Sequence, residues 1–125
     1  MTRILLAEDD QAMREYLARA LERSGYDVVA VDRGIAAAPL LEQEHFDLLL
    51  TDIVMPEMDG IELARHCNRV SPGTEVMFIT GFSGVALRAS ASMPSAKILS
   101  KPFHLKDLVL EVERLFAKES FGELK

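Results

Sequence analysis

Four apolar runs in this 125-residue chain each lead into a residue able to do chemistry. Ile4-Leu5-Leu6-Ala7 runs into Glu8-Asp9-Asp10, and Leu48-Leu49-Leu50 is followed, after Thr51, by Asp52. Val76-Met77-Phe78-Ile79 ends at Thr80, and Lys97-Ile98-Leu99 leads through Ser100 to Lys101-Pro102. Brought together, these residues would offer several carboxylates, one hydroxyl and one ammonium. Carboxylates at two strand ends raise one another's proton affinity unless a cation lies between them. Oxygen-only ligands with open positions suit Mg²⁺, which keeps several waters and bridges to phosphate. Lys101 would then supply a point charge for a phosphoryl oxygen, and Thr80 a hydroxyl donor. Asp52 would be the nucleophile of a phosphoryl transfer, giving an acyl phosphate. Taken alone, Glu8-Asp9-Asp10 is no more than a solvated acidic turn.

That grouping needs strands whose ends meet. The four runs, with Val28-Val29-Ala30-Val31, lack polar alternation and suggest strands buried on both faces of a parallel sheet. Helical candidates lie between and after them, at 11–24, 35–44, 61–70, 85–91 and 106–117. Gly25 stands where a helix C-cap is expected. In the last helix Leu105, Leu108, Val109, Val112, Leu115 and Phe116 make one apolar face, read as core. Pro39 falls inside the second helix and should cost a hydrogen bond or kink it. The fourth helix is short and rich in Ala and Ser, so its stability should be marginal. Five βα units in one chain imply an α/β, open doubly wound sheet, whose working site lies beyond the carboxyl ends of the strands.

Composition narrows the function. With 49% hydrophobic and 27% charged residues, the chain reads as one globular domain. A net charge of -6 repels phosphate backbones and argues against nucleic acid as a partner. Cys67, the single cysteine, closes no intramolecular disulfide. No apolar run reaches the roughly 18 residues of a membrane span, and the N-terminus lacks a signal-peptide pattern. A cytoplasmic chain without membrane partners is expected.

Ala7-Glu8-Asp9-Asp10, Asp52-Ile53-Val54-Met55-Pro56-Glu57-Met58-Asp59-Gly60, Ile79-Thr80-Gly81 and Ser100-Lys101-Pro102-Phe103 resemble the receiver domain of two-component response regulators. The resemblance covers about residues 3–117. It implies a (βα)5 flavodoxin-like three-layer sandwich with strand order 2-1-3-4-5. By position, Asp52 would be the phosphoacceptor, and Glu8 and Asp9 the acidic pair, with Asp10 just outside it. Asp9, Asp52 and the backbone carbonyl of Val54 would bind Mg²⁺ directly, and Glu8 through water. Thr80 would be the switch hydroxyl, Lys101 would pair with the phosphoryl group, and Lys101–Pro102 would be cis. The resemblance further implies a histidine kinase or histidine phosphotransferase as donor. Residues 1–118 would form the receiver, with 119–125 a flexible tail. With no output domain expected, the signal would pass by protein–protein contact.

The segment 47–65, with 76–82 and 99–108, also resembles the CpdR group of alphaproteobacterial single-domain regulators. That resemblance implies control of regulated proteolysis, the unphosphorylated form priming a ClpXP-type AAA+ protease. The competing reading is a phosphorelay intermediate or phosphate sink.

Departures from the receiver pattern qualify these expectations. Ile98 occupies the position usually held by a switch Tyr or Phe, so the family's threonine–aromatic coupling has no aromatic partner there. Val54 and Phe82 are apolar at positions where fast-dephosphorylating receivers carry polar groups. A Mg²⁺-dependent phosphohydrolase is disfavoured, because Val54 stands where a second carboxylate would be needed. Glu8-Asp9-Asp10 would repel the phosphate of a flavin cofactor, and no G-x-G-x-x-G, Walker or EF-hand loop occurs.

Of the remaining residues, His45, His66 and His104 show no metal spacing, and Cys67 reads as a buried, inert thiol. Gly60 is expected either to hold positive φ or to allow a close backbone approach. Ile98 and Phe103 are open between core packing and partner contact. Arg14, Arg19 and Arg23 read as a solvated face, with an acidic kinase partner as the alternative.

Overall fold

The computed structural model describes residues 1–81 and 83–123, with the side chains of 83–85 and 118–123 outside that description. Five strands alternate with five helices: β1 Arg3–Ala7, α1 Gln11–Arg23, β2 Asp27–Val31, α2 Gly34–Gln43, β3 Leu48–Asp52, α3 Gly60–Val70, β4 Glu75–Thr80, α4 Ser83–Ser92, β5 Lys97–Ser100 and α5 Leu105–Glu123. All strand pairs are parallel, in the order 2-1-3-4-5. The expected fold is therefore the observed one.

Period two along each strand divides the core. Ile4, Leu6, Leu48, Leu50, Met77 and Ile79 face α1 and α5, meeting Leu17, Leu21, Leu108 and Val112. Leu5, Ala7, Leu49 and Phe78 point the other way, against Leu41, Leu63, Ala64 and Cys67. β1, β3 and β4 are buried on both faces, β1 and β4 apart from their first residues, which explains their unbroken apolar runs. β2 and β5, expected to be buried on both faces, are instead the sheet edges and only partly buried.

Local signals set the helix ends. Asp10 Oδ1 accepts the Met13 amide at 2.9 Å and caps α1. After Ser24, Gly25 adopts φ 96°, with Gly25 N donating to Glu22 O at 3.0 Å and Tyr26 N to Leu21 O at 3.2 Å. This is a Schellman turn, and the left-handed residue is the expected glycine. Pro39 lies within α2, which continues through it to Gln43. α5 runs past Ala117, its expected end, to Glu123. Of the tail expected at 119–125, residues 124 and 125 lie outside the described residues, as does Phe82. No described helix is long and apolar enough to cross a membrane.

At the amino ends of the strands, Arg3 gathers several segments. Its amide donates to Asp47 Oδ2 at 2.8 Å, and its guanidinium bonds Asp27, Glu44 and the His45 carbonyl. The same guanidinium lies 4.7 Å from the centre of the Phe46 ring.

Candidate functional site

The register of the sheet brings the candidate residues to one rim. Ala7 pairs with Thr51, Asp52 with Ile79, and Thr80 with Ser100. Glu8 and Asp9 thus leave β1 beside Asp52 at the end of β3. Thr80 ends β4, and Lys101 follows β5, its amide donating to the Thr80 carbonyl at 2.7 Å.

At the centre is Lys101 Nζ, 3.2 Å from both Glu8 Oε1 and Asp52 Oδ2. Glu8 is wholly buried, and Asp52 and Thr80 are buried beside it, while Asp9 is exposed. Burial pushes the Glu8 carboxyl up to about 7, and the neighbouring Asp52 carboxylate pushes in the same direction. Burial also works against the Lys101 ammonium, but Asp52 and Glu8 outweigh it and raise its pKa. Lys101 is therefore held as a cation by the two carboxylates it joins.

One carboxylate oxygen from each of Glu8, Asp9 and Asp52 lies within 4.8 Å of the others. Three hard oxygen donors, one belonging to a buried carboxyl with raised proton affinity, fit a small divalent cation. Asp10 is absent from this group; its carboxylate is engaged in capping α1, while its amide donates to Glu8 Oε2 at 3.2 Å. The Val54 amide donates to Asp52 Oδ1 at 3.3 Å, and the Val54 side chain is exposed.

Gly60 is required by space rather than by positive φ. A Cβ there would collide with the Asp52 carbonyl oxygen and stand 2.9 Å from Ile53 Cα. Its amide donates to Ile53 O at 2.8 Å, drawing the start of α3 against the end of β3. In the intervening loop Glu57 takes φ 70°, a left-handed conformation uncommon outside glycine.

The Lys101–Pro102 peptide is cis. Phe103 is half-buried against the α1/α5 core and, with Met13, Tyr16, Gly81, Lys101 and Pro102, lines a pocket. Ile98 is half-buried on β5, packed against the opposite core. Cys67 is wholly buried, and burial pushes its thiol up to about 11.

Arg14 corrects one expectation. It is not simply a solvated face, because its Nη1 donates to the Glu8 carbonyl at 3.0 Å. Its position in the first turn of α1, four residues after the Asp10 cap, is the signal that could have revealed this. Two contacts had no sequence signal: Arg33 Nη1 lies 3.9 Å from Glu57 Oε1, and Arg88 Nη2 lies 3.1 Å from Asp59 Oδ2.

The chain is similar to known proteins over most of its length. It is 58% identical over 116 residues to the response regulator receiver protein CpdR of Brucella abortus (strain 2308), covering 92% of this chain and 97% of CpdR. A CheY-like receiver domain protein from Methanospirillum hungatei JF-1 superposes with a TM-score of 0.88 at 26% identity, over 98% of each chain. The response regulator TrrA from Thermotoga maritima, solved in complex with Mg²⁺–BeF, gives a TM-score of 0.82 at 28% identity, over 92% of this chain and 99% of TrrA. With residues 4–113 matching the response regulator receiver domain, the chain belongs to that family of two-component signalling proteins.

Proposed function

We propose that this chain is a phosphorylation-controlled protein-binding switch that accepts a phosphoryl group on Asp52 from a phosphohistidine donor. The observation that carries this reading is Lys101 Nζ, 3.2 Å from both Asp52 and Glu8, at a rim where Asp9 completes a carboxylate triad. Asp9, Asp52 and the Val54 backbone carbonyl would hold Mg²⁺ directly, and Glu8 through water. When bound, the ion would offset charge on the carboxylates and on phosphoryl oxygens. The Mg²⁺–BeF bound to TrrA, a metal with a phosphoryl stand-in, supports the assignment.

An Asp52 oxygen forms the new P–O bond as the donor's P–N bond breaks, and the electron pair of that bond stays with the imidazole nitrogen. The Lys101 ammonium follows the negative charge onto a phosphoryl oxygen. Thr80, one strand over, turns its hydroxyl toward the same group and acts as the switch, with Ile98 and Pro102 in the segments that respond. Val54 carries no group able to orient an attacking water, so the phosphorylated form persists. A measured acyl-phosphate lifetime of seconds in Mg²⁺ would overturn that last statement.

The donor is a histidine kinase or histidine phosphotransferase, and the setting is the cytoplasm. The protein acts on no external substrate, assisting only its own phosphorylation and dephosphorylation. Identity of 58% to CpdR supports an adaptor whose unphosphorylated form primes a ClpXP-type AAA+ protease. Incubation with a small acyl-phosphate donor and Mg²⁺, followed by intact mass, tests the chemistry. Wild type should gain one phosphoryl group and Asp52→Ala none; equal labelling removes the assignment. Pull-down with Asp52→Ala tests the output. Retained protease supports the adaptor, whereas capture of kinases or phosphotransferases alone identifies a relay.

A further inference from the structure

Two side-chain bonds join α3 and α4 in opposite senses. Arg88 Nη2, on α4, donates to Asp59 Oδ2 at 3.1 Å. Arg65 Nη2, on α3, donates to the Oγ of Ser92, the last residue of α4, at 3.2 Å. Asp59 has a second duty, since its Oδ1 accepts the Glu62 amide at 2.9 Å and caps α3. The next residue, Gly60, packs on the Asp52 carbonyl with no room for a Cβ.

Gly60 packs on the Asp52 carbonyl and is bonded to Ile53, so a displacement of the backbone at Asp52 has a short, direct route to Asp59. Asp59 can move only by taking its two partners with it or by losing one of them. α4 also packs on β4 and β5, through a small apolar contact. Among its described side chains only Ala89 is wholly buried, and Leu87 is 75% exposed. On β5, Ile98 lines a groove with Ala86, Leu87 and Ser90 of α4, and its branched aliphatic side chain lacks the ring whose rotamer would follow Thr80.

We infer that Asp59, bonded to Arg88 and supported by the Arg65–Ser92 contact, couples the phosphoacceptor to α4 in this chain. The inference rests on the reading of Asp52 as phosphoacceptor. Modification replaces the single carboxylate charge of Asp52 with a phosphoryl group of up to two charges, a net gain of about one negative charge at the end of β3. The loop from Ile53 to Asp59 responds, and the charge-assisted bond to Arg88 carries the response into α4. Coupling therefore runs through α3 and does not need the aromatic rotamer that Ile98 replaces.

The test is amide hydrogen exchange along α4 with and without a small phosphodonor and Mg²⁺, with intact mass reporting occupancy. In wild type, phosphorylation should change α4 exchange by roughly threefold or more. Asp59→Asn keeps a good helix cap while weakening the charge pair, and should reduce that change to less than about half. Arg88→Gln should do the same, their combination should add little, and Arg88→Lys should restore the response. All variants should label at the wild-type rate, since neither residue touches the acceptor. The inference is overturned if labelled variants keep the full α4 response, or if labelled wild type shows none. Wild type that takes no phosphoryl group removes the Asp52 reading and this inference with it.

Discussion

The Cα of Gly60 lies against the carbonyl oxygen of Asp52, so close that a Cβ could not be accommodated. Ile53 Cα would stand 2.9 Å from the added atom, and both obstacles are backbone. Gly60→Ala therefore has to displace either the start of α3 or the end of β3. The expected cost is about 1–3 kcal/mol in denaturant unfolding, with labelling at Asp52 slowed well beyond that of a surface substitution. An alanine variant of wild-type stability and labelling would show that the approach is not a constraint.

The pH dependence of stability has a definite sign at Glu8. Its carboxyl is raised from 4.5 to about 7, so the folded chain binds a proton that the unfolded chain has released. Stability from this group is complete below about 4.5 and is lost as pH rises toward about 7. In metal-free buffer, Tm of wild type should fall relative to Glu8→Gln across that window. Mg²⁺ should flatten the difference, and parallel curves without metal would contradict the assignment.

Asp9 and Asp10 separate by experiment. Asp10→Ala removes the α1 cap and should lower stability by about 1 kcal/mol, leaving the stabilisation by Mg²⁺ intact. Asp9→Asn should abolish that stabilisation with little effect on metal-free Tm, because Asp9 is exposed. A titration of Tm against Mg²⁺ reads both, and the reverse pattern would exchange their roles.

Lys101→Met removes the cation shared by Glu8 and Asp52 and leaves an aliphatic side chain. Two neighbouring carboxylates then face each other, and metal-free stability should fall by about 1–3 kcal/mol. Mg²⁺ should recover much of the loss but not the labelling, which should drop at least about tenfold. Full labelling in Lys101→Met would remove Lys101 from the chemistry.

Residues whose role depends on chain-local signals are legible in the sequence. The runs at β1, β3 and β4 announce burial on both faces because those strands are the middle of the sheet. Acid, hydroxyl and ammonium then fall at strand ends, where parallel order alone collects them. Gly60 stays open between two backbone explanations, because only the distance to Asp52 decides between them. Asp59–Arg88 and Arg65–Ser92 are invisible, since surface pairs 29 and 27 residues apart leave no periodic trace. Arg14 reads as solvated because its charge outweighs its place in the first turn. The end of α5 lies beyond its expected position for a related reason: the apolar stripe stops at Phe116, but backbone hydrogen bonding does not need it.

Arg3 gives the molecule a mechanical polarity. Its bonds to Asp27, Asp47, Glu44 and the His45 carbonyl rivet β1, β2 and the entrance to β3 at the rim remote from the carboxylates. At the opposite rim Lys101, just past β5, joins Glu8 and Asp52 at the ends of β1 and β3. The two rims are thus each gathered by one cation in opposite settings, Arg3 among exposed carboxylates and Lys101 among buried ones.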